Sequence, residues 1–282
     1  MIELYEHAKL PTYVIADTHG NFDILKDNIM RYENINSCIL IIAGDIGLGF
    51  YSYEYYNRVF EKLNNLFIEK HIYCYMLRGN HDDPKYFKEH LINFSNVKSI
   101  DDYSIIKVGD ENILCVGGGL SIDRKNRIEN YKNRIKTQRE LLKQYTDDVE
   151  DILIKISPSY WEDELPYYDE EKLNLIKENN INIDYVISHT SPSFCFKSDF
   201  EGIKYWIKMD ESLLGDLKKE REELDKVLSF IKKSQETLKK WVYGHFHEHY
   251  DMLYENTRYV ALINCDYSFD CHNLIEENSL ES

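Results

Sequence analysis

Eight short apolar runs, five of them ending abruptly in aspartate, asparagine or histidine, constrain this chain more than any other feature. They are Thr12–Ala16, Cys38–Ala43, Ile72–Leu77, Ser104–Val108, Ile113–Val116, Tyr185–Ile187, Trp241–Tyr243 and Tyr259–Ile263. Continuous apolar runs of this length suit strands buried on both faces. Helical spacing separates the early ones. Phe22, Leu25 and Ile29 recur after Asn21, and Tyr55, Val59, Leu63 and Leu66 precede the third run. The order β-α-β-α-β, followed by further strands, predicts a layered α/β fold with helices outside.

The residues just past the strands carry the chemistry. The first run leads into Asp17-Thr-His-Gly20, the second into Gly44-Asp45 and the third into Arg78-Gly-Asn-His-Asp82. Two later runs lead into Ser188-His189 and Gly244-His-Phe-His247. Ligands of open α/β sheets bind beyond the carboxyl ends of strands, so these residues are expected at one edge. Each has an ordinary reading alone. Asp17 can cap a helix, Gly44-Asp45 can turn, and Asn80 tolerates a left-handed backbone. Five such ends in one chain, four beside glycine, are poorly explained by turns.

Imidazole nitrogen and carboxylate oxygen together suit borderline divalent ions such as Mn, Fe, Zn, Ni or Co. Too few carboxylates converge for calcium, and no thiolate joins the set. The donor number suits two ions, with one carboxylate bridging them at roughly 3.5–4 Å.

The motifs resemble those of the calcineurin-like metallophosphoesterase superfamily, in its bacterial or phage-type branch. That pattern reads D-x-H, G-D, G-N-H-[DE], a lone His and G-H-x-H. Here it is Asp17-Thr-His19, Gly44-Asp45, Gly79-Asn-His-Asp82, His189 and Gly244-His-Phe-His247, in the same order. The resemblance implies a β-sandwich flanked by helices. It implies that Asp17, His19 and His247 hold one ion, that Asn80, His189 and His245 hold the other, and that Asp45 bridges them. A water or hydroxide between the ions would attack phosphorus. His81 would protonate the leaving oxygen or donate to the phosphate. Arg78 matches a phosphate-binding arginine of the protein-phosphatase branch.

This chain departs from that branch after the second strand. It reads Gly44-Asp-Ile-Gly-Leu-Gly49, with Leu48 where the branch has an aspartate that pairs with the catalytic histidine. Asp82 or Asp83 could substitute.

Gly117-Gly-Gly119 reads as a bulge before a change of direction, since no G-K-[ST] ending makes it a phosphate loop. The resemblance extends to Ser121-Ile-Asp-Arg-Lys-Asn-Arg127 and Trp161-Glu-Asp-Glu164, making Asp123, Arg124 and Arg127 candidate substrate contacts. Residues 124–146 are charged with sparse apolar positions and suggest a lid. One domain over 1–282, with a helical cap inserted at about 120–180, is the simplest organisation. Residues 210–238 carry a helical stripe of Leu213, Leu217, Leu224, Leu228 and Ile231 that suits core packing. The ending LIEENSLES reads as polar and frayed. His249 completes an alternating trio with His245 and His247 yet lies outside the pattern, and reads as solvent-facing.

Composition narrows the partners. Asp and Glu number 50 against 34 Lys and Arg, a formal charge of −16. Such a surface repels double-stranded nucleic acid at long range. A small or nucleotide phosphate ester stays compatible if bound cations reverse the local field. The first twelve residues lack a charged segment followed by an apolar one, so no signal peptide is expected. No run approaches the roughly 18 apolar residues of a membrane span. Six cysteines without a C-x-x-C pair read as reduced, and the chain as cytoplasmic. The leading expectation is a metal-dependent hydrolase of phosphomonoesters or phosphodiesters. A nuclease with the same motifs and a non-catalytic scaffold of the same fold are the competing ones.

Overall fold

The structure is a computed structural model and describes residues 2–33, 35–145, 153, 157–195, 200–235, 238–264 and 271–275. The strands are β1 Leu4–His7, β2 Thr12–Ile15, β3 Ile39–Ile42, β4 Tyr73–Met76, β5 Val97–Ser99 and β6 Ser104–Val108. They continue with β7 Glu111–Val116, β8 Tyr185–Ser188, β9 Lys240–Tyr243, β10 Tyr250–Tyr254, β11 Thr257–Ala261 and β12 His272–Ile275. The helices are α1 Phe22–Arg31, α2 Tyr53–Glu69, α3 Lys85–Lys88, α4 Arg124–Leu142, α5 Glu170–Glu178, α6 Phe200–Met209 and α7 Leu213–Ser234.

Two sheets stack face to face with helices outside both. One has five strands in the order β12-β2-β3-β4-β5, the other seven in the order β1-β6-β7-β8-β9-β11-β10. Strands β2 to β5 pair in parallel, as do β7, β8, β9 and β11. Parallel strands need faces covered on both sides, and three apolar layers supply them. Val14, Ile41, Ala43 and Leu77 meet Ile106, Cys115, Ile187 and Val242 between the sheets. Alternate residues of the same strands point outward, so Ile15, Leu40 and Met76 pack on Phe22, Leu25, Phe60 and Phe67. On the far side Leu114, Val186 and Trp241 pack on Leu173, Leu224, Leu228 and Ile231. Each aliphatic side chain so buried contributes about 1.5–3 kcal/mol by leaving water.

All eight predicted strands form, within a residue or two of their expected bounds. The apolar runs do not mark strands β1, β5, β10 and β12. β1 and β10 are edge strands with alternating or exposed residues, and β5 has three residues, too few to stand out. Leu274 and Ile275 of the supposedly frayed ending are buried in β12, paired with β2; the rest of that ending lies outside the described residues. In α2 the buried stripe is Tyr56, Phe60, Leu63 and Phe67, which keeps Leu63 of the predicted stripe and takes the residue after each of the other three. The larger aromatic surface turns toward the sheet, and Tyr55, Val59 and Leu66 pack at its flank.

The expected cap segment is not uniform. α4 buries no residue, whereas α5 buries Leu173 and Ile176 in the outer layer. Between them, Trp161 sits edge-on to Phe50, with ring centroids 5.3 Å apart. α7 places Leu213, Leu224, Leu228 and Ile231 in the core, as its stripe predicts, and leaves Leu217 half-buried beside a cavity.

Candidate metal centre

Both sheets deliver their polar strand ends to one place. Asp17 and His19 follow β2, Asp45 follows β3, and Asn80 and His81 follow β4, all in the five-stranded sheet. His189 follows β8, and His245 and His247 follow β9, in the seven-stranded sheet. Parallel neighbours end at similar heights, so a residue just past each strand reaches a common edge.

The backbone there is strained. Asp17, His19, Asp45, His245 and His247 all have φ between +44° and +72°. Left-handed backbone costs a non-glycine residue about 1 kcal/mol or more and persists only when its surroundings over-determine it. They do so here. The His19 amide donates to the Asp45 carbonyl at 2.8 Å, and the Asp17 amide to the Gly44 carbonyl at 3.1 Å. The buried Asp82 carboxylate accepts the amides of Ile46, Gly47, Leu48 and Gly79 at 2.7–3.1 Å, tying the second loop to the third. A Cβ on Gly79 would lie 2.1 Å from Asp45 Oδ1, and one on Gly244 2.5 Å from Asp17 Oδ2. Only glycine lets these loops approach so closely.

Two groups of candidate ligand atoms result. In the first, His19 Nε2 lies 3.2 Å from His247 Nε2, which lies 3.5 Å from Asp17 Oδ1. Two nitrogens each about 2 Å from one ion take this spacing. In the second, His189 Nε2 lies 3.0 Å from Asn80 Oδ1 and 3.2 Å from Asp45 Oδ1. His189 Nδ1 faces the Ala43 carbonyl at 2.9 Å. A proton on Nδ1 donates there and leaves the Nε2 lone pair aimed at two oxygens. Three acceptors then converge. A cation beside that lone pair, whether a metal ion or a proton shared with Asp45, satisfies the three together. Asn80 presents Oδ1 because its Nδ2 donates to Ser121 Oγ at 3.1 Å. Ser121 is held in turn by Glu164, which accepts its amide and hydroxyl at 2.7 Å each.

His245 lies beside the second group. Its ring centroid is 4.9 Å from that of His189. A Cβ on Gly119 would meet His189 at 2.9 Å, Asn80 Oδ1 at 3.3 Å and His245 Nδ1 at 3.4 Å, so all three border one point. The glycines after β7 are therefore more than a bulge. Asp45 lies between the groups, with Oδ1 toward His189 and Oδ2 3.9 Å from His19.

The buried titratable groups here shift one another. Burial alone would raise the Asp45 pKa, but His189, His81 and His19 hold it well below the carboxylate range. Burial alone would lower His189, but the Asp45 charge and hydrogen bond push it up to about 10. Burial and the charge of His189 push His245 well down, toward the neutral ring a ligand needs. Burial lowers His81 to about 4, and Arg127 adds to that against the pull of Asp45.

Three expected assignments change. Arg78 is buried, its Nε and Nη2 on Asp102 at 2.9 and 2.8 Å, its other donors on the carbonyls of Asp163, Glu164 and Leu165. It braces the segment at the site's rim and does not line the cavity. Arg124 is engaged by Asp210 at 2.6 Å and Asp216 at 2.7 Å, at the corner between α6 and α7. Neither Asp82 nor Asp83 replaces the acid missing at Leu48. Asp82 clamps amides, and Asp83 accepts the Lys85 amide. The side chain that meets the His81 ring is a cation, Arg127. Its Nη2 lies 2.5 Å from His81 Nε2, and its Nε is held by Asp123 at 2.7 Å. Arg127 lines the cavity.

His249 is exposed, lies on the cavity's rim and belongs to neither ligand group. The sequence reading missed Asp102, Glu220 and Arg221. Glu220 accepts the Leu120 amide at 2.8 Å, and Arg221 donates to Ser191 and stacks on Phe246 at 4.5 Å. A buried charge pair on an otherwise apolar stripe breaks the helical period and leaves no local signal. Among the described residues no helix is long and apolar enough to cross a membrane.

The calcineurin-like phosphoesterase family model matches residues 10–249. Among solved structures, the phosphopantetheinyl hydrolase PptH of Mycobacterium tuberculosis is 14% identical, with a TM-score of 0.48 over 95% of this chain and 96% of that one. The cold-active protein tyrosine phosphatase of a Shewanella species is 14% identical, with a TM-score of 0.33 over 92% and 73%. GAP50, the anchor in the inner membrane complex of Plasmodium, is 11% identical, with a TM-score of 0.39 over 91% and 72%. No curated protein matches.

Proposed function

This chain belongs to the calcineurin-like phosphoesterase family, and from that premise we propose that it hydrolyses a small phosphate ester with a pair of divalent ions. The observation that carries the reading is Asp45, whose two carboxylate oxygens turn toward two separate ligand groups. Asp17, His19 and His247 with Asp45 would hold one ion; Asn80, His189 and His245 with Asp45 would hold the other. Bound there, such ions would supply an activated water and neutralise charge on the phosphoryl oxygens.

The chain's own residues then position and protonate. Asp45 accepts the His81 amide at 2.7 Å and so holds that loop against the ligands. His81 is neutral near pH 7 in this environment, since burial lowers it to about 4. An entering phosphate brings negative charge that raises its proton affinity, so the ring can take a proton with substrate and return it to the leaving oxygen. Arg127, anchored through Nε by Asp123, presents the rest of its fork beside His81 and suits a phosphoryl oxygen.

The formal charge of −16 weighs against a nuclease. The retention of every ligand of the family pattern weighs against a non-catalytic scaffold. The test is turnover of p-nitrophenyl phosphate and bis-p-nitrophenyl phosphate by protein loaded with Mn, Fe, Zn or Ni. Asp45→Asn should lower kcat/KM at least about a hundredfold with folding intact, since losing even an outer-sphere partner costs 10–100-fold. Unchanged activity would sink the two-ion assignment.

A further inference from the structure

The cavity beside the ligand groups, about 560 Å³, is two-faced. Part of its lining is Asp45, Asn80, His81, His245 and His247. Much of the rest is apolar: Leu120, Ile122, Ile203, Trp206, Leu217 and Phe246. α6 supplies Ile203 and Trp206, and α7 supplies Leu217. The volume exceeds what a phosphate group needs and falls in the range of whole small-molecule sites.

The charges around the cavity sharpen this. Among the described lining residues the arginines and lysines are Arg127 and Arg221. Arg127 is tied to Asp123 and stands at His81. Arg221 is held by Ser191 and Glu220 and covers Phe246. Among the described residues that line the cavity away from the ligand groups, no cluster of cations could receive a second phosphate, and a charged tail packed against Ile203, Trp206 and Leu217 would lose hydration without return from them.

We infer that the substrate carries one phosphate group on an apolar alcohol, with the alcohol lodged against Ile203, Trp206, Leu217 and Phe246; this rests on the phosphoesterase reading above. Hydrolysis breaks the bond from phosphorus to the alcohol oxygen and forms one to a water oxygen. One proton of that water ends on the released alcohol. The apolar wall supplies binding that does not depend on the reacting atoms.

The test is a series of primary n-alkyl monophosphates from ethyl to octyl, whose leaving groups are equally basic, with metal-loaded protein. kcat/KM should rise about fourfold per methylene while the chain stays within the cavity, the equivalent of about 0.8 kcal/mol. Trp206→Ser should flatten that rise, and Leu214→Ser, on the exposed side of α7, should keep it. Turnover of short esters with no gain along the series would overturn the inference and leave the phosphoesterase reading standing. A higher kcat/KM for 1,8-octanediol bisphosphate than for octyl phosphate would also overturn it. If no ester is turned over, the phosphoesterase reading falls. Calorimetry with alkylphosphonates then decides the cavity's role. Affinity that grows with chain length and is lost in Trp206→Ser supports the apolar subsite, and flat affinity overturns it.

Discussion

His247 and His249 stand two residues apart, and only His247 reaches Asp17, its Nε2 3.5 Å from the carboxylate. The left-handed backbone at His247, φ +54°, breaks the simple alternation that would put both rings on one face. On the proposed two-ion reading, His247→Ala should therefore remove about one of two ions, as counted by elemental analysis of dialysed protein. His249→Ala should leave metal content within error of the parent. Equal losses in both would show that the trio acts together. Glu164 offers a second test at this scale. Burial pushes its carboxyl from the ordinary 4.5 up to about 8, although Ser121 donates to it twice. The folded chain thus binds this proton more tightly than the unfolded one. Its contribution to stability is whole below about pH 4.5 and is lost as pH rises through 8. Glu164→Gln keeps a neutral side chain throughout. Between pH 5 and 8, in chelator, the parent should lose about 3 kcal/mol of unfolding free energy relative to this variant. Parallel profiles would place the proton elsewhere.

At the scale of elements, the segment Asp163–Leu165 is held to the end of β4 by one side chain, Arg78. Removing one partner of a buried ion pair strands the other, here Asp102, at a cost of about 3–5 kcal/mol. Arg78→Ala should lower the urea midpoint accordingly while KM for a phosphate ester moves little. A raised KM with an unchanged midpoint would restore the phosphate-binding role that its motif suggests. α7 is the other element whose part exceeds its pattern. Its apolar stripe predicts packing, and Leu224, Leu228 and Ile231 do pack. Glu220 and Arg221, on the same buried side, reach the loops after β7 and β8 and brace them around the ligands.

At the scale of the molecule, each ligand group draws on both sheets. Asp17 and His19 belong to the five-stranded sheet and His247 to the seven-stranded one. Asn80 comes from the first, His189 and His245 from the second. Ions bound there would tie the sheets together at their polar edge, where no apolar layer does so. Chelation should lower the thermal midpoint, and re-addition of the divalent ion should restore it. Binding at a hundredfold above Kd adds about 2.7 kcal/mol. An unchanged midpoint would mean that the edge is held by Asp45, Asp82 and their hydrogen bonds alone.

The polar residues that gather at the site and the layered fold were legible because both are written locally. A strand buried on two faces must be apolar throughout, and the residue just past its end is the first free to be polar. Residue type then limits the chemistry, since imidazole and carboxylate in such numbers suit few ions. The sequence by itself therefore determined eight of the twelve described strands, the edge where polar groups gather and the kind of side chain gathered there. Tertiary structure alone decided which arginines stay available at the site. Arg124 meets Asp210 and Asp216 at separations of 86 and 92 residues, and Arg78 meets Leu165 at 87. It alone put Arg127 against His81, Glu164 under Ser121 and the walls of α6 and α7 around the cavity. Such pairings depend on which distant loops the sheets bring together, and no short-range pattern of apolar and polar residues encodes that distance.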